Sequence, residues 1–166
     1  MTTAYLGLGG NLGDPIAAMG EALRRLDGRP DCRVTAASRL YRTPPWGKTD
    51  QPWFVNACAG IETRLDPSGL LEAAMETERG LKRERRERWG PRTIDIDILT
   101  FGTVALRSEA LTLPHPRLHE RAFVLAPLAD LAPELVVAGR TVAQWLDEVK
   151  DEAVSPLGED RDWWRA

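Results

Sequence analysis

The chain has 166 residues, of which 43% are hydrophobic and 28% are charged, with a formal net charge of −3. This length suits a single domain with a proper core, and the composition is typical of a soluble globular protein. The net charge argues against general nucleic-acid binding, and no apolar run predicts a membrane span or a signal peptide. Cys32 and Cys58 lack metal-ligand spacing and disulfide density, so we expect buried or half-buried, reduced cysteines in a cytoplasmic protein.

The first third of the chain predicts a strand, a turn and a helix. Thr3 to Gly9 is the strand, and a glycine-rich segment follows it. That segment lacks the lysine of a P-loop and does not match the dinucleotide fingerprint. A phosphate-binding loop and a plain strand-to-helix turn both remain open. Asp14 before a proline predicts the N-cap of a helix from Ile16 to Leu26.

Two further strands are predicted around a long loop. They run from Cys32 to Tyr41 and from Trp53 to Thr63, and the loop between them spans Arg42 to Pro52. A loop of this length in a compact domain is usually functional or disordered. Asn56 lies inside the otherwise apolar third strand. Its amide could read the edge of a heterocycle, but a bond to neighbouring backbone is the simpler interpretation.

The next segment predicts a second helix and a charged loop. Asp66 caps a helix whose apolar positions extend to Leu81, with Glu78 as a candidate surface ion-pair partner. The loop spans Arg83 to Gly90, where Trp89-Gly90-Pro91 ends any helix.

The fourth strand, Ile94 to Phe101, alternates isoleucine with aspartate. Side chains two residues apart share one face of a strand, so the isoleucines should enter the core while Asp95 and Asp97 point away from it. Two carboxylates roughly 6–7 Å apart suit Mg²⁺, which takes its other ligands from water and phosphates. A solvated acidic face is the alternative. The arginines that precede this strand favour a polyphosphate site instead.

Past this strand, the sequence predicts a hairpin or extended excursion over Gly102 to Leu113, and then a proline-framed His115. A short helix leads from Arg121 to Pro127, and a last amphipathic helix spans Thr141 to Val149. The sequence pattern does not predict where the tail with Trp163 and Trp164 lies.

The order of elements predicts an α+β fold of the ferredoxin-like type. It has a βαββαβ core, an antiparallel sheet with helices packed on it, and extra C-terminal elements.

Five segments together carry a resemblance to a known family. They are YLGLGGNLGDP at 5–15, LYRTPPWG at 40–47, QPWFVNACAGIET at 51–63, RWGPRTIDIDIL at 88–99 and LTLPHPRLHERAFVLAPLADLAPEL at 111–135. With these the chain resembles 6-hydroxymethyl-7,8-dihydropterin pyrophosphokinase, an enzyme of folate biosynthesis. The motifs cover about residues 4–136 of a single domain spanning 1–166, and the extension from about 137 to 166 has no comparable motif. Lys82 replaces a common glycine of the family, which lets the second helix run further.

The resemblance implies transfer of the ATP β,γ-pyrophosphoryl group to the hydroxymethyl oxygen of the pterin, with release of AMP. It implies two Mg²⁺ ions on Asp95 and Asp97 and ATP as co-substrate. We also expect a monomer that binds no nucleic acid and no membrane. The catalytic positions are Arg83, Arg92, Asp95 and Asp97, with Asp97 as the candidate general base. The pterin positions are Thr43, Pro44, Pro45, Trp46, Phe54, Asn56, Asp95 and Phe123. The ATP positions are Glu78, Arg85, Trp89, Arg92, Ile98, Thr112, His115 and Arg121.

Two other functions remain open from the residues. Aromatic side chains on a ferredoxin-like sheet and a basic loop suit an RNA-binding module, although the acidic strand face and the negative net charge disfavour it. A catalytically silent nucleotide sensor would keep the same site, and only an assay distinguishes it from the enzyme.

Overall fold

The computed structural model describes residues 1–44, 52–86, 94–149 and 152–165, with the backbone alone for 83–86. The core elements are β1 (Thr2–Gly10), α1 (Pro15–Asp27), β2 (Cys32–Ala37), β3 (Tyr41–Thr43), β4 (Phe54–Thr63), α2 (Pro67–Arg86) and β5 (Asp95–Phe101). The later elements are β6 (Leu106–Arg107), β7 (Thr112–Leu113), a 3-10 helix (Leu118–Glu120), α3 (Ala122–Leu131), β8 (Val136–Val137), β9 (Arg140–Thr141), α4 (Val142–Glu148) and β10 (Ser155–Pro156).

The main sheet is antiparallel and runs in the order β10-β3-β4-β1-β5, with β2 also paired to β4. The ferredoxin-like βαββαβ core is therefore confirmed. The predicted strand from Cys32 to Tyr41 is two strands, β2 and β3, which pair with successive parts of β4. The interruption lies at Ser38, whose hydroxyl accepts a 2.9 Å hydrogen bond from the Cys58 backbone N–H.

Helices cover both faces of the sheet. α1 and α2 pack on one face, where Leu6, Met19 and Ile61 are fully buried. α3 and α4 pack on the other face, around Leu125 and Val142. This second layer consists of the C-terminal elements that the sequence predicted as additions to the core. α3 makes most of its strand contacts with β4, so none of the described helices covers the Asp95 end of β5 on this face.

β5 has the predicted alternation. Ile96 and Ile98 are buried on the face of α1 and α2, whereas Asp95 and Asp97 are exposed on the other face. Leu99 follows the same alternation and faces the second helical layer, whereas the register shift after Ile98 in the pairing of β1 with β5 places Phe101 on the face of α1 and α2. The carboxylate pair is thus held on the outer face by the burial of its apolar neighbours.

Two predicted segment boundaries were wrong. The charged loop does not begin at Arg83, because α2 continues to Arg86, which agrees with the expectation that Lys82 lets this helix run further. α3 passes through Pro127 and ends at Leu131. Proline removes one helical hydrogen bond, but the fully buried Leu125 and Leu128 pack on either side of it and offset that loss. The predicted N-caps are present: Asp14 accepts a 3.0 Å bond from the Ala17 N–H, and Asp66 caps α2 in the same way.

The C-terminal tail packs on the core rather than extending from it. β10 pairs with β3, and Trp164 is only 3% exposed. Its backbone oxygen accepts a 2.7 Å bond from Arg24 of α1. Both cysteines are buried free thiols, as predicted. Within the described ranges, none of the helices combines the length and apolar character needed to cross a membrane.

Candidate active site

The floor of the site is formed by two neighbouring rows of residues that cross the sheet. One row joins Asp95, Gly9 and Asn56 across β5, β1 and β4, and the next row on the same face joins Asp97, Gly7 and Cys58. Directly paired residues of antiparallel strands present their side chains on the same face. Because β1 contributes only glycines here, the carboxylates and the amide face each other across an open floor.

Above this floor lies a cavity of about 230 Å³. The predicted site residues that line it are Phe54, Asn56, Asp95, Asp97, Arg121 and Phe123. The structure therefore brings together, in one place, side chains predicted for pterin, for metal and for phosphate. They come from three elements and the residue preceding α3, and they are separated by up to about 70 positions in the sequence.

The side chain of Asn56 occupies the space that the missing side chain of Gly9 leaves free. A Cβ atom added at Gly9 would lie 2.4 Å from the Asn56 amide nitrogen, which is far inside contact distance. Among the described residues, the buried Oδ1 of Asn56 has no hydrogen-bond partner. The simpler interpretation, in which neighbouring backbone satisfies the amide, is therefore wrong for this oxygen. An unsatisfied buried acceptor is costly, so a ligand with a donor is the natural partner.

Two aromatic rings stand at the cavity. Phe54 is the first residue of β4, and Phe123 lies in the first turn of α3. The Arg121 guanidinium lies 5.5 Å from the centroid of the Phe123 ring. This arrangement gives the cavity flat apolar surfaces with a cationic group beside one of them.

The carboxylate pair has a third acidic neighbour, which the α2 helix supplies. Glu78 Oε1 accepts a 2.7 Å hydrogen bond from the backbone N–H of Ile96, the residue between the two aspartates. Burial raises the pKa of Glu78, and the charges of Asp95 and Asp97 raise it further, while the Ile96 N–H and Lys82 oppose this. Glu78 thus fixes the free edge of β5 where the aspartates project.

The donor set of the pair suits a hard divalent cation. Asp95 and Asp97 offer carboxylate oxygens on one exposed strand face. The described residues include no cluster of three or more potential metal ligands. A bound ion would therefore draw its remaining ligands from water or substrate, which is how Mg²⁺ is commonly held.

His115 borders the same region but mainly lines a different cavity. Its backbone N–H donates a 2.8 Å bond to the Leu99 oxygen, which fixes it beside β5. Its Nδ1 accepts a bond from the Arg117 N–H, so Nε2 is the nitrogen that can meet a ligand. Burial lowers the pKa of His115. The positive charge of Arg121 lowers this pKa further, whereas the negative charge of Asp97 raises it. His115 and Thr112 line a cavity of about 490 Å³ that shares no lining residue with the first.

The remaining predicted residues divide into three groups. Ile98 is buried on the helical face, so its side chain does not reach the site and only its backbone could bind a ligand. Thr43 is buried and pairs with Phe54, and Pro44 follows it at the start of the loop. Outside the described residues lie Pro45, Trp46, Trp89 and Arg92, together with the side chains of Arg83 and Arg85.

Sequence reasoning missed part of the cavity wall. Gly7, Cys58 and Val124 line it, but none was predicted. Gly7 was detectable, because it precedes Gly9 by two positions on a predicted strand and must share its face. Cys58 was detectable in the same way, two positions after Asn56.

Comparisons with known proteins assign the chain to a family. The model of the 7,8-dihydro-6-hydroxymethylpterin-pyrophosphokinase (HPPK) family matches residues 5–133. A 2-amino-4-hydroxy-6-hydroxymethyldihydropteridine pyrophosphokinase of Methylorubrum extorquens is 50% identical over 93% of this chain and 98% of its own length. The Pseudomonas aeruginosa protein of the same name is 48% identical over 92% of this chain and 95% of its own.

Solved structures agree on the fold. The crystal structure of wild-type Plasmodium falciparum HPPK-DHPS with STZ-DHP superposes with a TM-score of 0.69 over 89% of this chain and 43% of that chain, at 17% identity. A structure of HPPK-DHPS in complex with substrates gives 0.69 over 90% and 45%, at 14% identity. The sequence match extends over most of the chain and over nearly the full length of its relatives. The chain therefore belongs to the 7,8-dihydro-6-hydroxymethylpterin-pyrophosphokinase family.

Proposed function

We propose that the cavity between Phe54, Phe123 and the aspartate pair is where this chain transfers pyrophosphate from ATP to 6-hydroxymethyl-7,8-dihydropterin. By its family and its named relatives, the chain is a pyrophosphokinase of folate biosynthesis. The observation that supports this location is the row of Asp95, Gly9 and Asn56. It aligns a cation-binding carboxylate with an unsatisfied amide oxygen on one floor.

The pterin would lie between the rings of Phe54 and Phe123, because a flat heterocycle gains most by stacking on aromatic faces. The Asn56 amide offers an acceptor beside a donor. This pair complements the amide-like edge of a pterin, which carries N–H and C=O groups side by side. The remaining contacts with that edge of the pterin would come from Thr43, Pro44, Pro45 and Trp46.

The triphosphate would lie over β5 between the aspartates and the cationic residues. Asp95 and Asp97 would hold Mg²⁺, proposed as two ions. When bound, Mg²⁺ neutralises phosphate charge and makes the attacked phosphorus more electrophilic. Arg121 and His115 would orient the phosphates, as would Arg83, Arg85 and Arg92. The other nucleotide contacts in this proposal are Glu78, Trp89, Thr112 and the backbone of Ile98.

The reaction needs positioning more than covalent chemistry. The hydroxymethyl oxygen of the pterin attacks the β-phosphorus of ATP, and the bond from that phosphorus to the α,β-bridging oxygen breaks. AMP leaves with that oxygen. The Asp97 carboxylate lies on the cavity side of β5 and would accept the hydroxyl proton. Exclusion of water from the closed site prevents hydrolysis of ATP.

We further propose that the chain acts in the cytoplasm, since its two cysteines are free thiols. The expectation of a monomer remains a prediction.

Chromatographic separation of AMP, ADP and ATP after incubation with the pterin tests the function. We expect one AMP per diphosphorylated pterin, and no product when EDTA removes Mg²⁺. Formation of ADP instead of AMP, or undiminished turnover in EDTA, would overturn the proposal.

A further inference from the structure

The row that carries Asp95, Gly9 and Asn56 has a fourth member. Tyr41 of β3 pairs directly with Asn56 of β4, on the side away from Gly9. Directly paired residues place their Cβ atoms roughly 4.5–5.5 Å apart on the same face. Tyr41 is only 4% exposed and does not line the cavity. It is therefore a buried neighbour of Asn56 rather than a ligand contact.

Two side chains, those of Arg39 and Asp130, hold Tyr41 in place. Its hydroxyl donates a 2.9 Å hydrogen bond to Asp130 Oδ1 and accepts a 2.8 Å bond from Arg39 Nη2. Arg39 Nε also donates to Asp130 Oδ2 at 3.1 Å, and the Arg39 backbone N–H donates to the same oxygen at 3.1 Å. The Asp130 side chain is 8% exposed, so this is an almost fully buried and well-satisfied carboxylate.

This cluster connects the two walls of the cavity. Asp130 belongs to α3, whose first turn carries Phe123, while Tyr41 belongs to β3 beside the strand of Asn56. The C-terminal tail closes the cluster from outside, because Glu159 accepts a 3.2 Å bond from Arg39. A shift of α3 relative to the sheet would therefore disturb the hydrogen bonds of the Tyr41 hydroxyl.

Asn56 has little freedom between its neighbours. On one side its amide nitrogen fills the space that a Cβ of Gly9 would take. On the other side lies Tyr41, its direct partner in the pairing of β3 with β4, whose hydroxyl is held by Arg39 and Asp130. Asn56 lines the cavity between these two neighbours, and its buried amide oxygen has no hydrogen-bond partner among the described residues.

We propose that Tyr41, held by Arg39 and Asp130, is a positioning residue that aligns Asn56 for recognition of the pterin edge. The inference rests on the proposed function and goes beyond it, because none of these three residues lines the cavity. Preorganising one hydrogen-bonding group should strengthen the binding of the pterin without affecting the nucleotide.

The test is Tyr41→Phe, which removes the hydroxyl but keeps the ring and the Arg39–Asp130 pair. Calorimetry would measure the Kd of hydroxymethyldihydropterin in the presence of Mg²⁺ and α,β-methylene-ATP, and the Kd of that analogue alone. We expect the pterin Kd to rise roughly three- to tenfold, as loss of one hydrogen bond would give. The analogue Kd should stay unchanged. In turnover, KM for the pterin should rise while kcat is retained.

Two further variants make the outcome decisive. Asp130→Asn should shift the pterin Kd in the same direction and also lower the thermal midpoint. The control is Glu62→Gln, which breaks the 2.8 Å Arg33–Glu62 pair on another part of the β4 ladder. It should change neither Kd. An unchanged pterin Kd in Tyr41→Phe would overturn the inference, as would an equal loss for both ligands. If the wild type itself fails to bind the pterin, the proposed function fails as well.

Discussion

The carboxylate of Glu78 and the backbone N–H of Ile96 form a 2.7 Å hydrogen bond that joins α2 to the outer edge of β5. β5 ends the described sheet on this side, so the polar groups of Ile96 have no strand partner there. The bond lies between Asp95 and Asp97 along the chain. It fixes the backbone from which both aspartates project.

Substitution of Glu78 should separate its structural and charge roles. Glu78→Gln keeps an oxygen acceptor for the Ile96 N–H, whereas Glu78→Ala leaves that buried donor unsatisfied. We expect Glu78→Ala to lose about 1–3 kcal/mol of unfolding free energy. Glu78→Gln should stay close to the wild type. Urea titration measures both, and equal losses in the two variants would contradict the role of the bond.

Neutralising either aspartate should abolish turnover and leave the fold intact. Asp95→Asn and Asp97→Asn each remove a charge from an exposed strand face, so no core contact is lost. We expect AMP formation to fall by at least about a hundredfold, as for removal of a group that stabilises transition-state charge. Glu109→Gln, an exposed acidic position in the β6–β7 turn, is the control. Near-normal AMP release with an intact circular dichroism spectrum would refute the metal-site proposal.

A methyl group at Gly9 should impair the pterin site selectively. Gly9→Ala places a Cβ 2.4 Å from the Asn56 amide nitrogen, so the amide must move. The amide is the free end of a side chain and can turn aside, so the effect should appear as weaker pterin binding, by about 1–3 kcal/mol for a hydrogen bond that is no longer aligned. Gly158→Ala is the matched control, because its Cβ would meet none of the described residues within 4 Å. Titration of both variants with the pterin measures the effect. Identical pterin affinities in the two variants would contradict the close packing of Gly9 against the Asn56 amide.

Removal of the Phe123 ring should weaken pterin binding more than nucleotide binding. Stacking of one base on an aromatic ring contributes about 1–3 kcal/mol, so Phe123→Ala should raise the pterin Kd roughly tenfold. Leu157→Ala removes a side chain that is 45% exposed and serves as the control. Calorimetry with each ligand measures the effect. Equal loss of pterin and ATP-analogue affinity would count against the sandwich.

Asp130 should make the fold sensitive to acid. Burial alone would raise the pKa of Asp130, but the hydrogen bonds from Arg39 and Tyr41 together lower it below its ordinary value. A group whose pKa is lower in the folded state stabilises the fold above its unfolded pKa of about 3.9 and loses that contribution as pH falls through the folded pKa. Wild type should therefore exceed Asp130→Asn in stability at neutral pH, with the difference shrinking in acid. Urea unfolding from neutral to strongly acidic pH tests this, and a constant difference would contradict it.

Local patterns in the sequence were sufficient for most of the fold. The alternation around Asp95, the N-caps at Asp14 and Asp66, and the order of strands and helices depend on neighbouring residues and on their periodicity. The predicted end of α3 was wrong because distant packing prevailed there. Pro127 signals a break, yet burial of Leu125 and Leu128 carries α3 past it.

The sequence by itself determined the pair of carboxylates on one strand face and, through its motifs, the family. The alternation of side chains along a strand is a local property, and so the identity of the residues is enough to predict it. Only the tertiary structure decided that Asn56 and Tyr41 join that pair in a single row and that Asp130 holds Tyr41 from another helix. Those relationships depend on strand register and on packing across more than 80 positions, which no short-range pattern encodes.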